Sequence, residues 1–330
     1  MNIDNLFKQF SSLNVLIIGD VMIDSYLYGD VKRISPEAPV PVCEITRREN
    51  RLGGAANVAL NIAALGAKPI LCSVIGNDEH GKIFLELLKS NNLITEGILL
   101  SKRPTTIKTR VIGNKMQMLR LDEETTDYIT KSEQDALISK IENIISNQNI
   151  HVIIFQDYDK GVITPKLISQ IVPIATKKNI PTCVDPKHRN FSFYHGVTMF
   201  KPNFKEFKQG LDIDIPTINR NAIKKAADKL HLSQDIQKIF ITLSEYGVFI
   251  ADYSESNLTV ELMAAHKRKI TDVSGAGDTV ISVASLCLAL KMSAKDIAFI
   301  GNLAGGLVCE QAGVVPIDKN SLLDEIKRLQ

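Results

Sequence analysis

The sequence has no tryptophan, and aromatic residues make up only 6% of its 330 positions. A chain this poor in flat rings offers few stacking platforms for single-stranded nucleic acid. No charge sign dominates either: 39 Lys and Arg stand against 37 Asp and Glu, a formal net of +2. The basic footprint of a general nucleic-acid binder is missing, and nucleic acid is not expected as a partner. Cysteine is scarce, at positions 43, 72, 183, 287 and 309, and never in a Cys-x-x-Cys spacing. That argues against a disulfide framework or a structural zinc site and leaves buried thiols in a reducing cytoplasm as the expectation. Long apolar runs are absent as well. The longest uncharged stretch near the C-terminus, 279–290, falls short of the roughly 20 residues that cross a bilayer. The first ten residues, with Asp4 and Lys8 among them, lack the apolar heart of a signal peptide. A cytoplasmic chain without a membrane partner is expected.

Two nucleotide-binding motifs are also wanting. No Gly-x-Gly-x-x-Gly follows the first apolar run, so a dinucleotide fold has no support. Residues 76–83, GNDEHGKI, nearly fit the phosphate-loop pattern, but Ile83 stands where Mg²⁺ needs a hydroxyl. Asp78 and Glu79 would put two negative charges into a loop meant to cradle phosphates. A phosphate loop would make Lys82 essential. The competing reading is a polar turn with Asp78 at a helix start, where negative charge is favourable.

What is present describes a well-packed α/β protein. Hydrophobic residues make up 45% and charged residues 23%, ordinary values for a chain long enough to bury a large core. Short β-branched runs at 14–19, 69–75, 152–155, 181–184, 198–200 and 238–243 read as strands. Amphipathic stretches at 53–65, 81–90, 131–146, 165–178 and 218–230 read as helices between them. Such alternation implies a mostly parallel sheet covered by helices on both faces. Segments 26–46 and 105–121 break the rhythm with short strand-like pieces and no helix. They are either two unrelated edge hairpins or one small separate sheet serving as a lid or a dimer contact. Three consecutive helices are expected at 277–290, 294–311 and 319–329. No repeat or linker divides the chain. One domain over 1–330 is expected, with β-lid segments inserted at about 25–48 and 104–122.

Four segments carry chemistry. In DVSGAGDT, residues 272–279, Gly275, Ala276 and Gly277 allow a tight turn into an apolar helix. The unpaired N–H groups and dipole of that helix form an anion site. A carboxylate at Asp278 in its first turn would accept a hydroxyl proton while those N–H groups hold a transferring phosphoryl group. Asp278 as a mere helix-start charge is the competing reading. Gly53 and Gly54 before Asn57 allow close approach of a polyol, or mark only a tight turn. Asp20 and Asp24 follow the first strand, where open α/β sheets bind ligands, and suit sugar hydroxyls or cap a turn. Asn203 and Glu206, three apart, share a helical face and suit water around Mg²⁺, or begin an ordinary helix.

Together the GGAAN and DVSGAGD segments, in this order and separation, resemble the two signatures of the PfkB, or ribokinase-like, carbohydrate kinases. The likeness runs from about Val15 to about Ser321. Closer still is the likeness to the D-glycero-β-D-manno-heptose-7-phosphate kinases, in GDVMID at 19–24, RISPEAPVP at 33–41, RLD at 120–122, DYDKG at 157–161, VDPK at 184–187 and PNFKE at 202–206. The resemblance implies a ribokinase-like fold with a β lid that commonly forms a homodimer contact. It implies phosphorylation of heptose 7-phosphate at the anomeric O1, with ATP as donor and Mg²⁺ as cofactor, for ADP-heptose and lipopolysaccharide synthesis. Asp278 takes the place of the catalytic base, and Gly275, Ala276 and Gly277 that of the anion hole. Asn203, Phe204, Lys205 and Glu206 fall on the ATP–Mg²⁺ side, Glu206 meeting the metal through water. Thr242, Ser244 and Gly247 flank the nucleotide, and Asn302 lies near the adenine. Asp20, Asp24, Gly53, Gly54 and Asn57 fall on the sugar side, joined by Asp122, Lys160, Asp185 and Lys187. Lys108, Arg110, Arg120 and Arg33 are the candidate holders of the substrate phosphate, since Arg grips phosphate bidentately.

Three departures stand out. Bifunctional relatives continue into a nucleotidyltransferase domain with an HxGH-type motif, and none of the six histidines here forms one. A stand-alone kinase, with another protein supplying adenylylation, is the expectation. Ser274 stands where Thr is usual, and Asp159 where a small residue is common. Three other outcomes stay open: a PfkB-family kinase for another sugar or sugar phosphate, a sugar-binding regulator without catalysis, and a P-loop NTPase.

Overall fold

The computed structural model describes residues 3–255 and 257–329. Along the chain run α1 (Ile3–Phe10), β1 (Asn14–Gly19), β2 (Val21–Ile34), β3 (Pro41–Gly54), α2 (Ala55–Ala64), β4 (Lys68–Gly76), α3 (Glu79–Ser90) and β5 (Ile98–Ser101). There follow β6 (Ile107–Gly113), β7 (Met116–Glu123), α4 (Lys131–Asn147), β8 (Val152–Gln156), α5 (Pro165–Lys177), β9 (Thr182–Asp185), β10 (Met199–Phe200) and α6 (Phe204–Gly210). The last part holds α7 (Arg220–Gln234), β11 (Lys238–Thr242), β12 (Val248–Asp252), β13 (Thr259–Met263), α8 (Ala276–Ala289), α9 (Ala294–Val308) and α10 (Lys319–Leu329).

Nine strands form the main sheet in the order β13-β12-β11-β10-β9-β8-β1-β4-β5. Its pairs are parallel from β5 across to β11, and antiparallel only where β12 and β13 close one edge. The continuous apolar run of β1 follows from burial on both faces. Val15 and Ile17 join one core cluster with residues of α2, α8 and α9, while Leu16 and Ile18 join another with residues of α4, α5 and α7. Register brings the carboxyl ends of the strands to one rim. Gly19 lies beside Gln156, and Gln156 beside Asp185. Residues just past those ends therefore meet, as ligand sites of parallel sheets require.

The two excursions form one sheet, in the order β3-β2-β6-β7. β2 pairs parallel with β6 from Ile23 opposite Ile107 to Gly29 opposite Gly113, which disposes of two unrelated hairpins. β2 is buried over Val21–Ser25 and exposed toward Ile34, so the sheet leaves the body as a projecting flap.

Some expectations are corrected. The helix expected from residue 53 begins at Ala55, because Gly53 and Gly54 are the last residues of β3, opposite Met22 and Val21. The lid strands likewise reach past the expected limits, β2 starting at Val21 and β3 ending at Gly54. Helix α9 ends at Val308 rather than at 311. Strands β5, β12 and β13 and helix α1 had not been expected. Four cysteines are buried, but Cys43 sits half-buried in the lid. Among the described residues no helix is long and apolar enough to cross a membrane.

Candidate active site

The near-phosphate loop is a capped helix. Asp78 caps α3, its Oδ1 accepting from Gly81 N–H at 2.7 Å and from the Thr105 hydroxyl at 2.8 Å, its Oδ2 from Thr105 N–H at 2.8 Å. These bonds outweigh burial and hold its carboxyl below the usual range. Lys82 is exposed and pairs with Glu79.

At the other glycine-rich turn, Gly275 takes a left-handed φ of 79° as the N-cap of α8. A Cβ there would stand 3.2 Å from both Asn57 Nδ2 and Val314 Cγ1, so glycine answers both strain and space. Asp278 is the third helical residue and is buried. Its Oδ1 accepts from the Tyr158 hydroxyl at 2.6 Å and from Gln156 Nε2 at 3.1 Å. Its Oδ2 accepts from Asn57 Nδ2 at 2.7 Å. Burial pushes the carboxyl up to about 6, against the pull of the Asn57 and Tyr158 hydrogen bonds. The Asp185 charge adds to the rise and Lys201 opposes it. Beside it, Lys201 is buried and reaches Asp185 Oδ2 at 3.0 Å. Both lie within 4 Å of where a Gly277 Cβ would stand, Asp185 Oδ2 at 3.7 Å and Lys201 Nζ at 3.8 Å. The first turn of α8 thus joins backbone N–H donors, a buried cation and a buried carboxylate. The N–H of Ala276 is partly committed, through a long 3.3 Å bond to Val273 O.

The sugar-side expectations divide. Asn57 reaches Asp278 directly and is itself held by Asn61, whose Nδ2 donates to Asn57 O at 2.9 Å. Asp24 pairs with Arg110 Nη1 at 2.6 Å. Asp20 is wholly buried and holds the chain itself. Its carboxylate accepts the N–H groups of Tyr158 at 2.9 Å, Lys160 at 3.1 Å and Val162 at 2.9 Å, fixing the loop that carries Tyr158. The two glycines are packed closely by the chain. A Cβ on Gly53 would meet Asp24 Oδ2 at 2.4 Å, and one on Gly54, at φ 62°, would meet Asp20 O at 2.5 Å. There they make room for the chain's own carboxylate and carbonyl.

Three of the candidate phosphate holders, Lys108, Arg110 and Arg120, are ion-paired. Glu124 lies between Lys108 and Lys160, 2.7 Å from each. Asp122 is 2.9 Å from both Lys108 and Arg120. Burial raises the carboxyls of Glu124 and Asp122, but the lysine hydrogen bonds, with that of Arg120 on Asp122, outweigh it and hold both low. Arg33 lies apart, exposed toward the end of β2.

On the nucleotide side Asn203 caps α6, and Glu206 closes a capping box, each bond 2.9 Å. The ordinary helix start therefore explains their spacing. Glu206 also pairs with Lys187 through its other oxygen. Burial lowers the Lys187 ammonium, but Asp185 and Glu206 together raise it. Phe204 packs against the core and Lys205 is exposed on α6. Asn203 and Thr242 form a parallel bridge. Ser244 and Gly247 both have positive φ, 53° and 96°. A Cβ on Gly247 would touch Met263 O at 2.0 Å. Asn302 donates to the neighbouring Ala264 O at 2.8 Å. Asn203 is thus tied to the end of β11, and Asn302 by its amide to the residue after β13.

Sequence reasoning assigned no role to Tyr158, Gln156 or Lys201. Tyr158 stands inside DYDKG and Lys201 directly before PNFKE, both singled out, so the neighbourhoods were visible and the partners were not. Asp159 has a φ of 57°, a left-handed conformation that Asp tolerates better than most residues. It lies 3.6 Å from Arg189.

The profile of the pfkB family of carbohydrate kinases matches residues 12–320. The bifunctional protein HldE of Desulfatibacillum aliphaticivorans is 39% identical over 96% of this chain, and that of Methylobacillus flagellatus likewise 39% over 96%. The chain spans 64% of the length of each of these relatives. Escherichia coli phosphofructokinase-2, solved with fructose-6-phosphate, superimposes with a TM-score of 0.77 at 19% identity, covering 96% of this chain and 99% of that one. Arabidopsis thaliana ribokinase, complexed with ribose and ATP, gives 0.69 at 15% identity, covering 94% and 98%. At such identities these two likenesses speak for the fold alone, a ribokinase-like α/β fold.

Proposed function

The chain belongs to the pfkB family of carbohydrate kinases, and from that premise we propose that it transfers the γ-phosphoryl group of ATP to O1 of D-glycero-D-manno-heptose 7-phosphate. The observation that carries the chemistry is a buried, three-donor carboxylate at Asp278 in the first turn of α8, beside Gly277 and Lys201. The choice of heptose rests on similarity to the HldE proteins over 96% of the chain.

Asp278 takes the O1 proton as the sugar oxygen attacks. The Gly277 N–H, the α8 dipole and Lys201 stabilise charge on the transferring group. Mg²⁺ binds oxygen and keeps several of its waters. Glu206 supplies hard oxygen only, which fits such an ion held through water, and the ion would neutralise the donor's phosphates. Asn203, Thr242, Ser244, Gly247 and Asn302 form the nucleotide's rim. Lys108 and Lys160 hold the 7-phosphate, which displaces Glu124 from between them; Arg110 and Arg120 flank it. The lid sheet pairs with that of a second copy, since Met116, Met118, Leu119 and Leu121 of β7 are all exposed.

The test is ADP release with Mg²⁺-ATP and a panel of heptose 7-phosphate, fructose 6-phosphate, fructose 1-phosphate, ribose or no sugar. Turnover with heptose 7-phosphate alone is expected. Asp278→Asn should lower it by about 100- to 10,000-fold. Lys160→Met should raise KM for the phosphorylated sugar. Turnover with another sugar would keep the kinase and discard the heptose. Undiminished turnover in Asp278→Asn would remove the base.

A further inference from the structure

The two oxygens of Asp278 are not equivalent. Oδ1 receives two hydrogens, from the Tyr158 hydroxyl and from Gln156 Nε2. A carboxylate oxygen has two lone pairs, so Oδ1 is filled. Oδ2 receives one, from Asn57 Nδ2. The donor identities are fixed by their surroundings. Gln156 Nε2 also lies 3.3 Å from Asp185 Oδ2, and only the amide nitrogen satisfies two carboxylates at once. Asn57 meets only an acceptor at Asp278, so its nitrogen must face it. The tyrosine hydroxyl, 2.6 Å from a carboxylate, must donate.

We propose that Oδ2 of Asp278 is the atom that takes the substrate proton, and that Tyr158 is the residue that decides this, by filling Oδ1 and holding the carboxylate plane. The inference rests on the reading of Asp278 as base. The step balances: the sugar O–H breaks, its proton bonds to Oδ2, the sugar oxygen bonds to the γ-phosphorus, and the bond from that phosphorus to the bridging oxygen breaks as ADP leaves. Tyr158 is a positioning residue and loses no proton. Its own hydroxyl is pushed well above the ordinary range by burial and by the charge of Asp278, so it stays a donor.

The geometry around Tyr158 supports the role. Its backbone N–H is anchored on Asp20, and its ring lies under Lys187, whose Nζ is 5.6 Å from the ring centroid. The ring is therefore held from two sides while its hydroxyl reaches one oxygen. Other charges facing Asp278 are Asp185 on β9 and Lys201 just past β10, which oppose one another. Asp24 on β2 acts on the tyrosine rather than on the base.

The experiment is a pH–rate profile of kcat/KM for the acceptor in the wild type, Tyr158→Phe and Asp278→Asn, at saturating Mg²⁺-ATP. It is paired with ¹³C NMR titration of the Asp278 carboxyl, identified by its loss in Asp278→Asn. Removing one donor to the anion should move the acid limb of Tyr158→Phe upward by about one pH unit, and the carboxyl titration by the same amount. A residue that only packs would lower the plateau and leave both midpoints in place. If wild-type turnover depends on Asp278 but neither midpoint moves in Tyr158→Phe, the inference falls and the kinase reading stands. If turnover does not depend on Asp278, both fall. Gln156→Met removes the other Oδ1 donor with little change of shape and should shift both midpoints in the same direction. An unmoved pair of midpoints in this variant, with Tyr158→Phe also unmoved, overturns the inference even if one variant folds poorly.

Discussion

At the scale of the residue, the proposed base, Asp278, works against its own solvation. Desolvation favours the neutral acid, and Asp278 titrates near 6 as a result. A general base must be ionised, so kcat/KM should fall tenfold per pH unit below about 6, measured as a pH–rate profile in the free enzyme. The sign for stability is the reverse. A carboxyl raised from 3.8 in the unfolded chain to about 6 in the fold stabilises the protein most fully below pH 3.8 and loses that contribution as pH rises through 6. At pH 7.5 the ionised side chain therefore costs stability, by at most about 3 kcal/mol for a shift of this size. Asp278→Asn should melt no lower than the wild type at pH 7.5 while losing turnover. A lower melting temperature for the variant at that pH would contradict this account of the shift. Asp20 shows another use of a carboxylate: three backbone N–H groups bond to it, and it holds the loop on which the tyrosine stands.

At the scale of the element, the start of α3 separates a motif from its imitation. Asp78 supplies a cap and two further bonds to Thr105, at the foot of the lid strand β6. Removing a cap typically costs about 1 kcal/mol, up to about 2. Asp78→Ala should lose that much in urea unfolding at pH 7. Because hydrogen bonds depress its folded pKa, the difference from wild type should shrink as pH falls below 3.8. Lys82→Ala should leave turnover unchanged; its loss would revive the phosphate loop. The pattern of residues 76–83 could be read as either, and Ile83 with the two acids already tilted the choice toward a cap. The end of β3 was harder. Gly53-Gly54 looks like a helix start in sequence, but the two glycines finish a strand because Asp24 and Asp20 lie against them. That contact joins residues about thirty apart, and no local pattern reports it.

At the scale of the molecule, the lid is the exposed part. β7 is exposed along its whole length, with Met116, Met118, Leu119 and Leu121 outward, while β2 and β3 add Ile34 and Ile45. A sheet edge carrying that much apolar surface is a template for a second copy. If lid pairs with lid, Leu119→Glu should weaken the dimer at least tenfold, about 1.4 kcal/mol, by analytical ultracentrifugation. A wild type that is monomeric at micromolar concentration, or a variant that dimerises equally well, would argue against the pairing.

The sequence by itself determined the layers. β-branched runs and amphipathic stretches follow from burial, a property each residue carries with it, so the parallel sheet and its helices were legible, and so was the turn into α8 with Asp278 in it. The unexpected strands β12 and β13 are an antiparallel edge, where β13 is half exposed and its pattern weak. Tertiary structure alone decided the partners. Gln156, Tyr158, Asn57 and Asp278 are separated by up to 221 positions, and only the register of β1, β8 and β9 brings them to one rim. It also decided what binds each carboxylate. Asp20 and Asp278 look alike in sequence, each beside a glycine near a strand or helix end. One takes its three hydrogens from the backbone and the other from side chains, because hydrogen bonds are directional and their supply depends on what the fold sets against each oxygen.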